Sequence, residues 1–305
     1  MKIIRAEHLG MCFGVRDAIA LALKTANEKP LTILGELVHN QTVLEALRQN
    51  GIQFESQLDR VPTRTAMITA HGASDRTISQ ARALGLEILE ATCPLVHFAH
   101  RALRKLVEDG YHPVIIGKRD HVEVRGLTGD LAQFDVVLCE ADIDNLEERT
   151  RFGVVAQTTQ PVEKVRHLVR LIQQRFPNAK VRFSDTVCQP TKQRQSAAIE
   201  LAQRSDAVVV IGGAHSNNTR ELVATCQRHC PRVFHVQDAA ELDPARFADA
   251  CTVGLTAGTS TPDSVIASVE QRLREIAGAL DNPAQAFDDD FSTADSVNSA
   301  IGQPN

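Results

Sequence analysis

Apolar and polar positions follow one another in the same order three times along this chain. Leu31-Thr32-Ile33-Leu34, Val114-Ile115-Ile116 and Val208-Val209-Val210-Ile211 each run into glycine, at Gly35, Gly117 and Gly212. Such short, branched runs predict strands covered on both faces. A second apolar run in each unit closes on a small polar cluster. The clusters are Thr69-Ala70-His71-Gly72, Ala156-Gln157-Thr158-Thr159 and Thr256-Ala257-Gly258-Thr259-Ser260. A third, strand-like run ends in cysteine, at Cys12, Cys93 and Cys188, and a helical pattern follows each time. In one of these helices Pro94 stands at the expected first position and Gly110 just past the end. Leu95, Phe98, Ala102, Leu103, Leu106 and Val107 give that helix an expected apolar stripe.

The glycines fall 23, 24 and 24 residues after the cysteines, which argues for three copies of one supersecondary unit. Alternating strands and helices predict parallel sheets with right-handed crossovers and ligands beyond the carboxyl ends of the strands. The expected organisation is α/β: three pseudo-symmetric lobes with small parallel sheets around one central site. The lobes span 14–92, 93–187 and 188–280, with strand 1–13 joining the third. Residues 281–305, with Asp288-Asp289-Asp290 and little to bury, are expected to form a mobile tail.

Length alone, at 305 residues, suggests about two domains, and the repeat overrides it. A net charge of −5 and the absence of tryptophan argue against nucleic acid. No run is long and apolar enough for a membrane span, and the strand pattern starts at once without a signal segment. Seven cysteines in that context predict a reducing compartment, the cytoplasm, and no disulfide framework.

A single strand-end cysteine is ordinarily a small core residue. Three at equivalent repeat positions point instead to one shared metal centre, and a helix amino terminus favours the thiolate that ligation needs. Zinc or an iron–sulfur cluster would suit thiolates. Cys226 and Cys230 lack a partner pair and are expected to pack in a helix; Cys139 and Cys251 are expected in the core. The loops add His39, His71, His121, Glu123, Thr158, Thr159, Ser216, Asn217, Asn218 and Ser260. Histidine, serine and asparagine donors suit a phosphate or diphosphate. No Walker loop or dinucleotide fingerprint appears in its expected context. Glu123 reads either as a solvated carboxylate beside Arg125 or as an enclosed acid with a raised pKa. Thr158 and Thr159 read either as a proton relay or as helix caps.

The pattern resembles the 4-hydroxy-3-methylbut-2-enyl diphosphate reductase family over residues 1–280. The resemblance rests on Gly10-Met11-Cys12-Phe13-Gly14-Val15, Leu37-Val38-His39-Asn40, Ala70-His71-Gly72, Ala91-Thr92-Cys93-Pro94-Leu95-Val96, His121-Val122-Glu123, Gln157-Thr158-Thr159, Ser216-Asn217-Asn218 and Ala257-Gly258-Thr259-Ser260. It implies one 4Fe–4S cluster on Cys12, Cys93 and Cys188, with the fourth iron left to bind the substrate's hydroxyl. It implies that His39, His71, His121, Ser216, Asn217, Asn218 and Ser260 hold an allylic diphosphate, with Thr158 and Thr191 beside the reacting end. Glu123 would be the proton source and Thr158 its partner. The implied reaction is a two-electron reductive dehydroxylation giving isopentenyl and dimethylallyl diphosphates. Ferredoxin or flavodoxin would supply the electrons, and the chain would be a monomer or weak dimer. Val122, Asn217 and His97-Phe98 depart from the family's common residues, which are proline, serine and a threonine-lysine pair. Rival readings are a zinc phosphate-ester hydrolase using the histidines and Glu123, an iron–sulfur sensor of the same fold, and a non-redox dehydratase.

Overall fold

The structure, a computed structural model, describes residues 1–281; the tail expected at 281–305 lies almost wholly outside the described residues. Three four-stranded parallel sheets carry the described residues. The first unit runs β2 (Leu31–Leu34), α2 (Gln41–Gln49), β3 (Gln53–Glu55), β4 (Thr65–Ile68), α3 (Asp75–Ala83) and β5 (Glu87–Glu90). The second runs β6 (His112–Ile116), α5 (Val122–Thr128), β7 (Asp135–Val137), α6 (Glu140–Asp144), β8 (Arg151–Ala156), α7 (Val162–Arg175) and β9 (Lys180–Phe183). The third runs β10 (Ala207–Ile211), α9 (Asn217–Gln227), β11 (Val233–Val236), β12 (Thr252–Ala257) and α10 (Asp263–Asp281). Its fourth strand is β1 (Lys2–Arg5), paired in parallel with β12 from Lys2 opposite Thr252 to Arg5 opposite Leu255. Helices α1 (Phe13–Glu28), α4 (Pro94–Glu108) and α8 (Gln189–Gln203) lead from each cysteine into the next unit.

The strand order is the same in each sheet: β3-β2-β4-β5, β7-β6-β8-β9 and β11-β10-β12-β1. Each unit's first and third strands are therefore central and almost wholly buried, as their Val- and Ile-rich runs require. The strands that precede the cysteines lie at the edges and are only half-covered. The first and third strands send their connections in opposite senses across the sheet. A crevice opens between them at the carboxyl end, where ligands bind in open α/β sheets.

Helix α4 starts at Pro94 and stops before Gly110, whose φ of +78° no branched side chain would tolerate. Its buried face is Val96, Ala99, Leu103 and Leu106, a strict three–four spacing. The expected stripe was rotated from this: Phe98 and Val107 stand in solvent, at 46% and 38% exposure. Cys226 and Cys230 are buried as expected. Cys139 and Cys251 are not core residues but exposed. Cys139 follows the edge strand β7 and opens α6, where its sulfur points to Asp142 Oδ2 at 3.4 Å. Cys251 precedes β12, outside the buried run. Among the described residues no helix is long and apolar enough to cross a membrane.

Candidate active site

The candidate residues all lie beyond the carboxyl ends of the strands, on the loops or in the first helical turns that follow them. His39 follows β2 and His71 follows β4; His121 and Glu123 follow β6, with Thr158 and Thr159 after β8; Ser216, Asn217 and Asn218 follow β10, and Ser260 follows β12. The fourth strand of each sheet leads to a cysteine. Each cysteine N–H donates to the carbonyl of the neighbouring loop, from Cys12 to Thr259 (3.2 Å), from Cys93 to Ala70 (3.0 Å) and from Cys188 to Thr158 (3.0 Å). The threefold repeat thus extends to single hydrogen bonds.

Cys12, Cys93 and Cys188 are the N-caps of α1, α4 and α8, and none spends its side chain on capping. A Cβ on Gly14 would meet Cys93 Sγ at 2.6 Å, so the first turn of α1 passes directly over the second cysteine. Burial pushes the Cys188 thiol up to about 11, with the charges of Glu123 and Cys12 acting the same way and Thr191 opposing. Burial also raises Cys93, and Cys12 and Glu123 again add to it. The three thiols and Glu123 therefore share one electrostatic neighbourhood. Thr191, fully buried, sits with its hydroxyl 3.0 Å from Cys188 Sγ.

Glu123 is 1% exposed. Its two oxygens accept from the Thr158 backbone N–H at 2.7 Å and the Thr158 hydroxyl at 2.9 Å. Burial moves the carboxyl up to about 7 against the pull of those two bonds. The solvated alternative for Glu123 is thereby removed. Thr158 is not a helix cap, because Pro161 occupies the N-cap of α7 without a side-chain bond. Thr159 Oγ1 instead accepts from Gln157 and from Asn217, joining the second and third lobes.

His39, His71 and His121 form a triangle with ring centroids 5.1, 5.5 and 5.4 Å apart. Their nitrogens lie within 4.8 Å of one another, close enough to meet one ion or one multivalent anion. His121 Nδ1 accepts from the Glu123 N–H, which leaves Nε2–H as a donor in the neutral ring. Burial holds His71 well below the usual histidine range and His121 at about 4, with neighbouring histidine charges adding to both. Asn218 Oδ1 accepts from Thr259 N–H, so its amide hydrogens remain to donate. Ser216 Oγ accepts from Thr219 N–H as the cap of α9 and keeps its own proton free. Ser260 Oγ is buried with no hydrogen-bond partner among the described residues. Orphaned donors of this kind are expected where a ligand completes the bonding.

Arg194 was not singled out from the sequence, and Gly14 entered only as part of the motif around Cys12. Arg194 follows Thr191 and precedes Ala197, Ala198 and Leu201 on the buried side of α8. A charged residue in phase with an apolar stripe was the available signal. Val122 is the first residue of α5, the helix position that proline fills most readily, so its departure costs no contact. His97 and Phe98 lie on the outer part of α4, with His97 3.6 Å from Glu90.

The model of the family "LytB protein" matches residues 3–274. A 4-hydroxy-3-methylbut-2-enyl diphosphate reductase from Pelobacter propionicus is 38% identical over 280 residues, spanning 90% of this chain and 99% of that protein. Its namesake from Geobacter metallireducens is 35% identical over 281 residues, spanning 92% and 99%. The solved E-1-hydroxy-2-methyl-but-2-enyl-4-diphosphate reductase of Plasmodium falciparum superposes with a TM-score of 0.84 at 26% identity, covering 88% of this chain and 87% of that one. A solved (E)-4-hydroxy-3-methyl-but-2-enyl diphosphate reductase, terminal enzyme of the non-mevalonate pathway, gives 0.66 at 35% identity, covering 90% and 99%. With the three-sheet fold shared and nearly the whole length matched, this chain belongs to the LytB protein family.

Proposed function

We propose that the loops at the three crevices bind 4-hydroxy-3-methylbut-2-enyl diphosphate and that the chain removes its hydroxyl by reduction. Two electrons and two protons enter, the carbon–oxygen bond breaks, water leaves, and isopentenyl or dimethylallyl diphosphate remains. The family is iron–sulfur dependent. The finer assignment is one 4Fe–4S cluster per chain on Cys12, Cys93 and Cys188. The donor set fits it: three soft sulfurs at helix amino termini, uncommitted to capping, with glycine clearance at Gly14. Such clusters usually take four cysteines, so three leave one iron for substrate. When bound, the cluster supplies Lewis acidity at the substrate hydroxyl and electrons one at a time.

The observation that carries the reading is Glu123, a buried carboxyl at about 7 in the same neighbourhood as three free thiols. An acid with that pKa both holds and releases a proton at neutral pH. Glu123 donates to the departing oxygen, and the two Thr158 bonds stabilise the carboxylate that results. His39, His71, His121, Ser216, Asn217, Asn218 and Ser260 anchor the diphosphate, which fixes the reacting end against Glu123. Thr191 stands beside that end. Electrons arrive from a ferredoxin or flavodoxin, and the enzyme works in the cytoplasm as a monomer or weak dimer.

The test is anaerobic purification, assay of iron, sulfide and zinc, and turnover with a chemical one-electron donor. Turnover that scales with about four irons and four sulfides is expected. Cys12→Ser, Cys93→Ser and Cys188→Ser should lose cluster while Cys139→Ser keeps it, and Glu123→Gln should keep cluster and substrate but lose turnover. A zinc-loaded protein without sulfide would replace this reading with the hydrolase. A loaded protein without turnover would leave the sensor or dehydratase.

A further inference from the structure

Among the described residues only two Asp, Glu, Lys or Arg side chains are buried: Glu123 and Arg194. Glu123 has a role above; Arg194 has none. Its Nε and Nη2 donate to the carbonyl of Gly10 at 3.0 and 2.6 Å, and Nη1 donates to the carbonyl of Pro190 at 3.0 Å. Both acceptors are neutral. Nearby Arg16 and Lys192 are each committed to a carboxylate, Asp263 at 2.9 Å and Asp185 at 2.8 Å, while Arg194 has none among the described residues. A buried guanidinium without an anion is strongly disfavoured. Burial works against its charge, and the negative charges of Cys12 and Cys188 are what favour it. Gly10 lies two residues before Cys12, and Pro190 two after Cys188. The Arg194 fork therefore ties the loop of one sulfur to the helix opened by another.

We propose that Arg194 is the counter-charge of the metal centre, a positioning residue that fixes the Cys12 loop and sets the reduction potential. This rests on Cys12, Cys93 and Cys188 being the ligands. Reduction adds a negative charge to a centre already ringed by thiolates. A fixed cation beside it favours the reduced state, so losing that cation makes the centre harder to reduce. Arg194 thus matches the centre to a one-electron donor without touching substrate.

The experiment compares wild type, Arg194→Gln, Arg194→Met and Arg194→Lys as full-length protein, reconstituted without oxygen. Iron, sulfide and thermal melting are measured, then the cluster is titrated against redox dyes by visible absorbance. Methionine is included because an apolar chain of similar length is tolerated where an unpaired polar amide fails. For Arg194→Gln and Arg194→Met the reduced-to-oxidised ratio at the wild-type midpoint should fall about tenfold, which is 59 mV for one electron. Arg194→Lys should keep the wild-type potential and load less cluster, having charge without the fork. A loaded Arg194→Met protein at the wild-type potential would overturn the proposal. So would a potential in Arg194→Lys displaced as far as in Arg194→Met. If the neutral variants hold no cluster, the lysine variant decides alone: an unmoved potential supports the counter-charge and a displaced one overturns it. A wild-type chain that holds no iron or sulfide would instead sink the cluster assignment, a separate failure.

Discussion

Glu123→Gln should make the protein more stable in alkali while abolishing turnover. The carboxyl is moved from an ordinary 4.5 to about 7 because its ionised form is buried. One pKa step is worth about 1.4 kcal/mol, so ionising Glu123 costs the folded state about 3 kcal/mol. Below pH 4.5 the folded and unfolded chains both carry the proton, and nothing is lost. Between 4.5 and about 7 the unfolded chain releases it while the folded chain retains it, so stability falls as pH rises through the folded value. Above that the loss is complete and constant. Glutamine has the shape of the protonated acid, still accepts from the Thr158 N–H, and can donate to the Thr158 hydroxyl. It therefore removes the slope. The assay is urea unfolding of both chains, cluster-free and with thiols reduced, across this range. The variant should match wild type near pH 4.5 and exceed it by about 3 kcal/mol at pH 8. His71 and His121, both depressed, make stability rise with pH below the usual histidine value, but equally in both chains, so they cancel in the difference. Parallel pH profiles would refute the raised pKa and, with it, the reason for making Glu123 the acid.

Binding of inorganic diphosphate should take up protons, because an anion between His71 and His121 offsets the burial that keeps both neutral. Affinity should rise from pH 8 to pH 6, and calorimetry in buffers of contrasting ionisation heat should show at least about one proton taken up; zero uptake would rule out an anion at the triangle. Ser260→Ala should raise KM about tenfold, roughly 1.4 kcal/mol, with melting unchanged, since the hydroxyl has no partner among the described residues. A large fall in melting temperature would make that hydroxyl structural. Gly14→Ala should lose bound iron and sulfide while keeping its helices, because the added carbon would stand 2.6 Å from Cys93 Sγ; full loading would show that α1 yields freely. Val122→Pro should gain about 0.4–1 kcal/mol with turnover kept, since His121 already has the extended φ −70°, ψ 138° that a following proline requires. A loss of stability would mean that the Val122 N–H is needed.

The architecture was legible because one unit is written three times. Branched runs ending at Gly35, Gly117 and Gly212 marked the central strands, and the same offsets marked the loops that carry His39, His121 and Ser216. The sequence pattern does not show which strands are central. That order turns three sets of loops towards one another, and only tertiary pairing reveals it. For Glu123 the loop composition left solvent and enclosure equally open; the Thr158 bonds, 35 residues away in sequence, decide it. Phe98 and Val107 were assigned inward by their apolarity, but Val96 and Ala99 fit the helical phase and took the buried face. Cys139 and Cys251 were misplaced for a related reason: a short apolar run does not say where the sheet edge lies. Arg194 escaped notice because an arginine is ordinarily a surface residue, and its burial follows from a carbonyl 184 positions earlier.

The pairing of β1 with β12 also sets a schedule for assembly. The ribosome makes Cys12 well before the strand that seats its loop, which arrives some 250 residues later. Until then residues 2–5 have no sheet to join, and Gly10 lacks the Ala257 carbonyl that accepts from its N–H. A nascent chain can thus present two of its sulfurs in folded lobes and withhold the third until β12 has been made. On the proposed assignment of the three cysteines, iron delivered earlier would meet an incomplete set of thiols, so assembly of the centre waits for β12. Moving residues 1–13 to follow α10 would make that contact local and free the last step from its dependence on chain length.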